Sequence, residues 1–265
     1  MSENSINVNV AGGVARVTMA RPDKHNAFDD VLITDLTDAF EAVGRDGAVR
    51  VVVLEGEGKS FSAGADLGWM QRMADYSAAE NLADARKLAG MVRTLNELPR
   101  PTIARVQGAA FGGGVGLVAA CDIALASQAA SFCLSEARLG LIPSVISPYV
   151  VEAIGARAAR RYFQTAERFD AETAHVLGLV HEVVPRERLD GRIDELIGVL
   201  LDNGPAAMAA SKELIRRVAS GPVDDAMVEY TAQRIADIRA TAEGREGVQA
   251  FLEKRGPNWR TTTKA

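Results

Sequence analysis

The stretch Gly108-Ala109-Ala110-Phe111-Gly112-Gly113-Gly114-Val115-Gly116 reads as a turn of small residues set between two regular elements. Before it, Thr102 to Val106 has strand character, and after it Val115 to Cys121 has the composition of a short buried helix. A second stretch repeats this arrangement. Phe61-Ser62-Ala63-Gly64-Ala65-Asp66-Leu67 follows the continuously apolar run Val49 to Leu54 and precedes a helix carrying Trp69 and Met70. Small residues let another molecule approach the main chain closely. The first turn of a helix adds unpaired N–H groups and partial positive charge. Two such loops converging on one oxygen would stabilise an anion there. Taken alone, each cluster is more often a device for packing a helix tightly against a strand.

Outward from these loops, the pattern alternates between the two periods of regular structure. Ile6, Val8 and Val10 alternate with asparagines, Gly12-Gly13 marks a turn, and Val14 to Met19 returns, which predicts a hairpin. Leu32, Leu36, Ala39, Phe40 and Val43 fall at helical spacing, as do Leu82, Ala85, Leu88, Val92 and Leu95. Strands alternating with helices predict an α/β fold. After about residue 185 the pattern turns wholly helical, with segments at 186–201, 206–219, 223–241 and 245–255. No strand neighbours these helices in sequence, so they are expected to pack on the body or on another subunit. Two regions follow, a core over 1–185 and a helical region over 186–265.

The 265 residues are 48% hydrophobic and 25% charged, with a net charge of −5, enough to build an ordinary core. The basic clusters are short (Arg157, Arg160, Arg161; Arg216, Arg217), which argues against nucleic acid as a partner. The longest uncharged run, Val106 to Cys121, is interrupted by glycines and ended by Asp122, so no membrane span is expected. With two cysteines, Cys121 and Cys133, and no apolar signal core at the N-terminus, a cytoplasmic location is expected.

Several familiar chemistries fail on spacing. Gly58-Lys59-Ser60 lacks the glycine at 53 that a phosphate loop needs, and Leu117 breaks the dinucleotide fingerprint. There is no G-x-S-x-G elbow. Three histidines without an H-x-x-x-H pair, and no C-x-x-C, give no support for a metal site. Backbone groups and carboxylates are left to carry any chemistry.

Six segments in order give the chain a family resemblance. They are Arg21-Pro22-Asp23-Lys24-His25-Asn26-Ala27, Phe61 to Leu67, Gly108 to Asp122, Ala137 to Pro143, Ala174 to Val180, and Ala250 to Arg255. Through them the whole chain resembles the crotonase (enoyl-CoA hydratase/isomerase) superfamily. The resemblance implies a spiral of ββα turns with a helical C-terminal region, assembled as trimers or hexamers. It implies an acyl-CoA thioester as substrate, with CoA part of that substrate and no separate cofactor. Ala65 and Gly113 would supply the two N–H donors to the thioester oxygen. The Ala63 carbonyl would meet the adenine, with Asp66 and Leu67 in the same binding segment. Lys24, Phe251 and Lys254 would border the nucleotide, although both lysines read equally well as solvated surface residues.

Family hydratases use two glutamates. The second is present as Glu136, the implied acid/base; the first position holds Gly116. Losing that side chain is expected to remove a charge and open space beside the acyl chain, favouring branched or anionic acyl groups. The stretch Ser144 to Val151, with Gly116 and Ala166-Glu167-Arg168-Phe169, looks like the bacterial methylglutaconyl-CoA hydratases. A one-glutamate double-bond isomerase and a catalytically silent CoA-binding homologue are the alternatives. Gly113 is expected to stay bare because the acyl group lies against its main chain.

Overall fold

The expected hairpin forms: β1 (Ile6–Ala11) pairs antiparallel with β2 (Val14–Met19), and Gly12 and Gly13 turn the chain at positive φ. The computed structural model describes residues 5–219 and 221–260; residues 261–265, the end of the expected helical region, lie outside the described residues. Helix α1 (Asp30–Arg45) starts where the Asp29 carboxylate accepts the Leu32 N–H at 2.9 Å. It buries the periodic face Leu32, Leu36, Ala39, Phe40 and Val43.

From residue 51 one unit repeats three times. β3 (Val51–Gly56) and β4 (Ser60–Ala63) lead into α2 (Leu67–Ala74) and α3 (Ala78–Asn96). β5 (Thr102–Val106) and β6 (Ala109–Phe111) lead into α4 (Gly113–Ala120). β7 (Ile123–Ser127) and β8 (Ser131–Cys133) lead into α5 (Ser147–Thr165), followed by β9 (Arg168–Asp170), α6 (Ala171–Leu177) and β10 (Glu182–Val184). The first strand of each unit enters a six-stranded sheet ordered β1-β2-β3-β5-β7-β10. The second enters a four-stranded sheet ordered β4-β6-β8-β9. Successive units pair parallel in both sheets. This is the α/β spiral of ββα turns expected from the sequence.

The continuously apolar strand β3 is buried on both faces, as its composition required. Val52 and Leu54 point into the main core with Phe40 and Leu95. Val51 and Val53 point the other way, onto Leu189, Ile193 and Ile197 of α7 (Leu189–Leu201). Of the tail helices expected to pack on the body or on another subunit, α7 packs on the body. α7 covers the second face of the large sheet, because β3 and β5 leave an apolar surface there that sequence distance conceals. The remaining helices are α8 (Pro205–Ala219), α9 (Asp225–Ala240) and α10 (Ala242–Leu252). On this part of the single chain Leu214 is half-buried, while Ile235 and Phe251 are exposed, Phe251 at 83%.

Ile193 is fully buried between α7 and the sheet. Ile193→Ala should lower stability by about 2–5 kcal/mol in urea unfolding. A loss below about 1 kcal/mol would mean that α7 does not close this face.

Candidate active site

Parallel pairing of β4 with β6 places Ala63 beside Phe111. Two residues beyond each strand end come Ala65 and Gly113. Gly113 opens α4, so its N–H has no acceptor within the helix. Ala65 is flanked by two bonds to Phe28: the Phe28 N–H donates to the Gly64 carbonyl at 2.9 Å, and the Asp66 N–H donates to the Phe28 carbonyl at 2.8 Å. Both bonds bypass the Ala65 N–H. Among the described residues, neither the Ala65 nor the Gly113 N–H has a hydrogen-bond acceptor. The loops touch, since a Cβ on Gly112 would lie 3.9 Å from Gly64 Cα.

Phe28, only 2% exposed, was not singled out in the sequence, yet it meets both loops. Its backbone brackets Ala65, and its ring lies where a Gly113 side chain would go: a Cβ there would stand 2.8 Å from Phe28 Cε2. The expectation that Gly113 stays bare for the acyl group is corrected on this point, because the space beside it belongs to Phe28. The other glycines divide by role. Gly108 and Gly114 serve close packing, with a Cβ reaching 1.9 Å from the Lys59 carbonyl and 2.3 Å from the Ser62 carbonyl respectively.

The loop at 21–28 is fastened to β4 by Asn26. This buried side chain places Nδ2 3.0–3.1 Å from the carbonyls of Glu57, Ser60 and Phe61, and its Oδ1 accepts the Arg21 N–H at 2.9 Å. Asn26 sits at φ 53°, a conformation asparagine tolerates better than most residues. The Ala63 N–H donates to the His25 carbonyl at 3.0 Å. Asp66 caps α2, accepting from the Gly68 and Trp69 N–H groups, and pairs with Lys24 at 3.1 Å. Burial pushes its carboxyl up, but Lys24 and the cap bonds outweigh this and hold it below its usual value. Leu67 begins α2 and is 76% exposed.

Glu136 opens a short 3₁₀ turn, Glu136–Leu139, after β8. A Cβ on Gly112 would lie 3.2 Å from its Oε1, which puts the carboxylate beside the start of α4. Its Oε2 is shielded from solvent and has no hydrogen-bond partner among the described residues. Burial raises its pKa above the ordinary 4.5. A carboxylate of this kind holds and releases a proton more readily near neutral pH than an exposed one.

Gly116, four residues after Gly112, carries a second correction. A Cβ there would come 2.1 Å from Ile146 Cγ2 and 2.7 Å from Ile146 Cβ. The space a side chain at 116 would enter is filled by Ile146, itself 3% exposed, so the glycine does not open space. Only the loss of charge survives from that expectation. Ile146 lies in the Ser144 to Val151 stretch singled out in the sequence, but nothing there ties its side chain to the space beside residue 116. Phe251 lies in α10 and Lys254 two residues past its end; α10 packs mainly on α9 and α8. Among the described residues no hydrogen bond or ion pair links Phe251 or Lys254 to Lys24, Ala63 or Asp66. Among the described residues no cluster of His, Cys, Asp or Glu could hold a metal, and no helix is long and apolar enough to cross a membrane.

This site, two free N–H groups at the ends of adjacent parallel strands with one shielded carboxylate beside them, sits in a chain whose relatives are well populated. The profile of the enoyl-CoA hydratase/isomerase family matches residues 9–262. A crystal structure of an enoyl-CoA hydratase from Shewanella pealeana superposes with a TM-score of 0.94 at 47% identity, covering 96% of each chain. A crotonyl-CoA hydratase from Syntrophomonas wolfei is 33% identical over 90% of this chain and 91% of its own length. A 1,2-epoxyphenylacetyl-CoA isomerase from Escherichia coli is 31% identical over 94% and 96%. The chain belongs to the enoyl-CoA hydratase/isomerase family, within the crotonase superfamily.

The raised pKa of Glu136 has a consequence for stability. A native state that binds this proton more tightly than the unfolded chain keeps that advantage below pH 4.5 and loses it as pH rises through the raised value. Glu136→Gln should therefore melt higher than the native protein at neutral pH, with the difference shrinking to nothing in acid. Equal melting temperatures at neutral pH would show that the carboxylate is not desolvated.

Proposed function

We propose that this protein is an enoyl-CoA hydratase in which the Ala65 and Gly113 N–H groups hold the thioester oxygen and Glu136 is the acid/base. The observation that carries the reading is the pair of unpartnered N–H groups at matching positions beyond β4 and β6, with the Glu136 carboxylate against the same glycine turn. In hydration, Glu136 takes a proton from water as the oxygen bonds to the acyl β-carbon. The electron pair of the double bond moves onto the thioester oxygen, where the two N–H groups stabilise the enolate. Glu136 then returns its proton to the α-carbon. One carboxylate is sufficient, since the proton it accepts is the proton it gives back.

CoA enters as part of the substrate, with Ala63 toward the adenine, Lys24 at the nucleotide, and Asp66 and Leu67 in the same segment. Asp66 contributes chiefly by capping α2 and holding Lys24. Phe251 and Lys254 close over the nucleotide in the assembled enzyme, and the helices after α7 pack between subunits. For the acyl group we propose 3-methylglutaconyl-CoA or a related branched or dicarboxylic enoyl-CoA. The Ser144–Val151 segment supports this, as does Gly116 in place of a second glutamate, which leaves no charge at that position to repel an acyl carboxylate. A double-bond isomerase is the second reading, favoured by the hydrocarbon of Ile146 at the position of the first family glutamate.

Turnover of an acyl-CoA panel in heavy-oxygen water separates these readings, because only hydration carries the label into product. Glu136→Gln should keep CoA binding while lowering turnover by roughly 10²–10⁴-fold. Turnover near the native rate would remove Glu136 from the mechanism, and no turnover on any acyl-CoA would support a silent homologue.

The exposed Ile235 and Phe251 also bear on assembly. A trimer or hexamer is expected in sedimentation velocity. A monomer at working concentration would leave these side chains, and the closure by Phe251, without a partner.

A further inference from the structure

Two residues thirty positions apart meet at one point beside the proposed active site. Ile146 precedes α5 and reaches the bare backbone of Gly116 so closely that even a methyl there would overlap its Cγ2. Gly112 caps the start of α4 and Gly116 follows four residues later, about 6 Å along the helix axis. Glu136 approaches the first and Ile146 the second. An acyl chain whose thioester oxygen lies at the Gly113 N–H and whose α-carbon meets Glu136 extends next to the level of Gly116. There it meets the β-branched side chain of Ile146, a stiff group with few rotamers.

We propose that Ile146, seated on Gly116, is a specificity-determining residue that forms the hydrocarbon wall beside the acyl β-carbon and sets how large a branch fits there. This rests on the acyl-CoA reading of the site given above. Gly116 and Ile146 form a single unit: the glycine exists so that the isoleucine can stand where it does. The wall is apolar and fixed, so it discriminates by shape and not by charge.

The test compares binding of butyryl-CoA and 3-methylbutyryl-CoA, saturated analogues that need no turnover, by titration calorimetry. Ile146→Ala should shift the affinity ratio toward the branched ligand on the order of tenfold, the scale of one or two methylenes in a pocket. Ile146→Val should give a smaller shift in the same direction and serves if the alanine variant fails to fold. Gly116→Ala combined with Ile146→Ala places a methyl near the vacated volume, and should return the ratio toward the native value. Affinity for free CoA should stay unchanged throughout. A folded Ile146→Ala protein with the native ratio and a lowered melting temperature would overturn the proposal, reducing Ile146 to a packing residue of α4. Binding of both analogues without turnover of any enoyl-CoA would instead sink the hydratase reading while leaving the role of Ile146 to the ratio.

Discussion

Both ends of the proposed oxyanion site rest on Phe28. Its main chain pairs across Ala65 through the residues on either side, which keeps the Ala65 N–H out of any internal bond. Its ring fills the side of Gly113 where a side chain would otherwise stand. One buried residue thus fixes the separation of two donors that belong to different turns of the spiral. The arrangement is stiff because Asn26, two residues earlier, is bound to three carbonyls along the connection to β4. Preorganisation of this kind matters for an oxyanion hole, whose donors must already be in place when charge develops.

The ββα repeat explains why two donors of the same kind occur at all. Each turn of the spiral ends its second strand in the small sheet and passes into a helix, so each presents a loop at the same edge. Parallel pairing without crossing connections puts the loops of adjacent turns side by side. The third turn reaches the same edge after β8, and it delivers Glu136. The fold thus brings two main-chain donors and a carboxylate together from segments some seventy residues apart in sequence.

Much of this was legible in the residues. The hairpin, the periodic face of α1, the buried strand β3 and the small-residue loops followed from spacing and composition, and the superfamily followed from six motifs in order. What stayed hidden depended on contacts between distant segments. That α7 lies on Val51 and Val53 could not be read from a helical tail with no neighbouring strand. Phe28 resembled any core aromatic, and Ile146 any apolar residue ahead of a helix. A missing side chain announces itself in sequence, whereas the group that has moved into its place does not.

The contact between Gly116 and Ile146 also constrains how this chain can change over time. Any side chain gained at 116 while isoleucine remains at 146 collides with a group that is buried and stiff. Shortening residue 146 first leaves a cavity, a cost of about 2–5 kcal/mol that a sufficiently stable protein can survive. The two steps are therefore ordered: a side chain gained at 116 must pass through the hollowed intermediate. Sequences on either side of that passage are separated by a steric gate at these two positions.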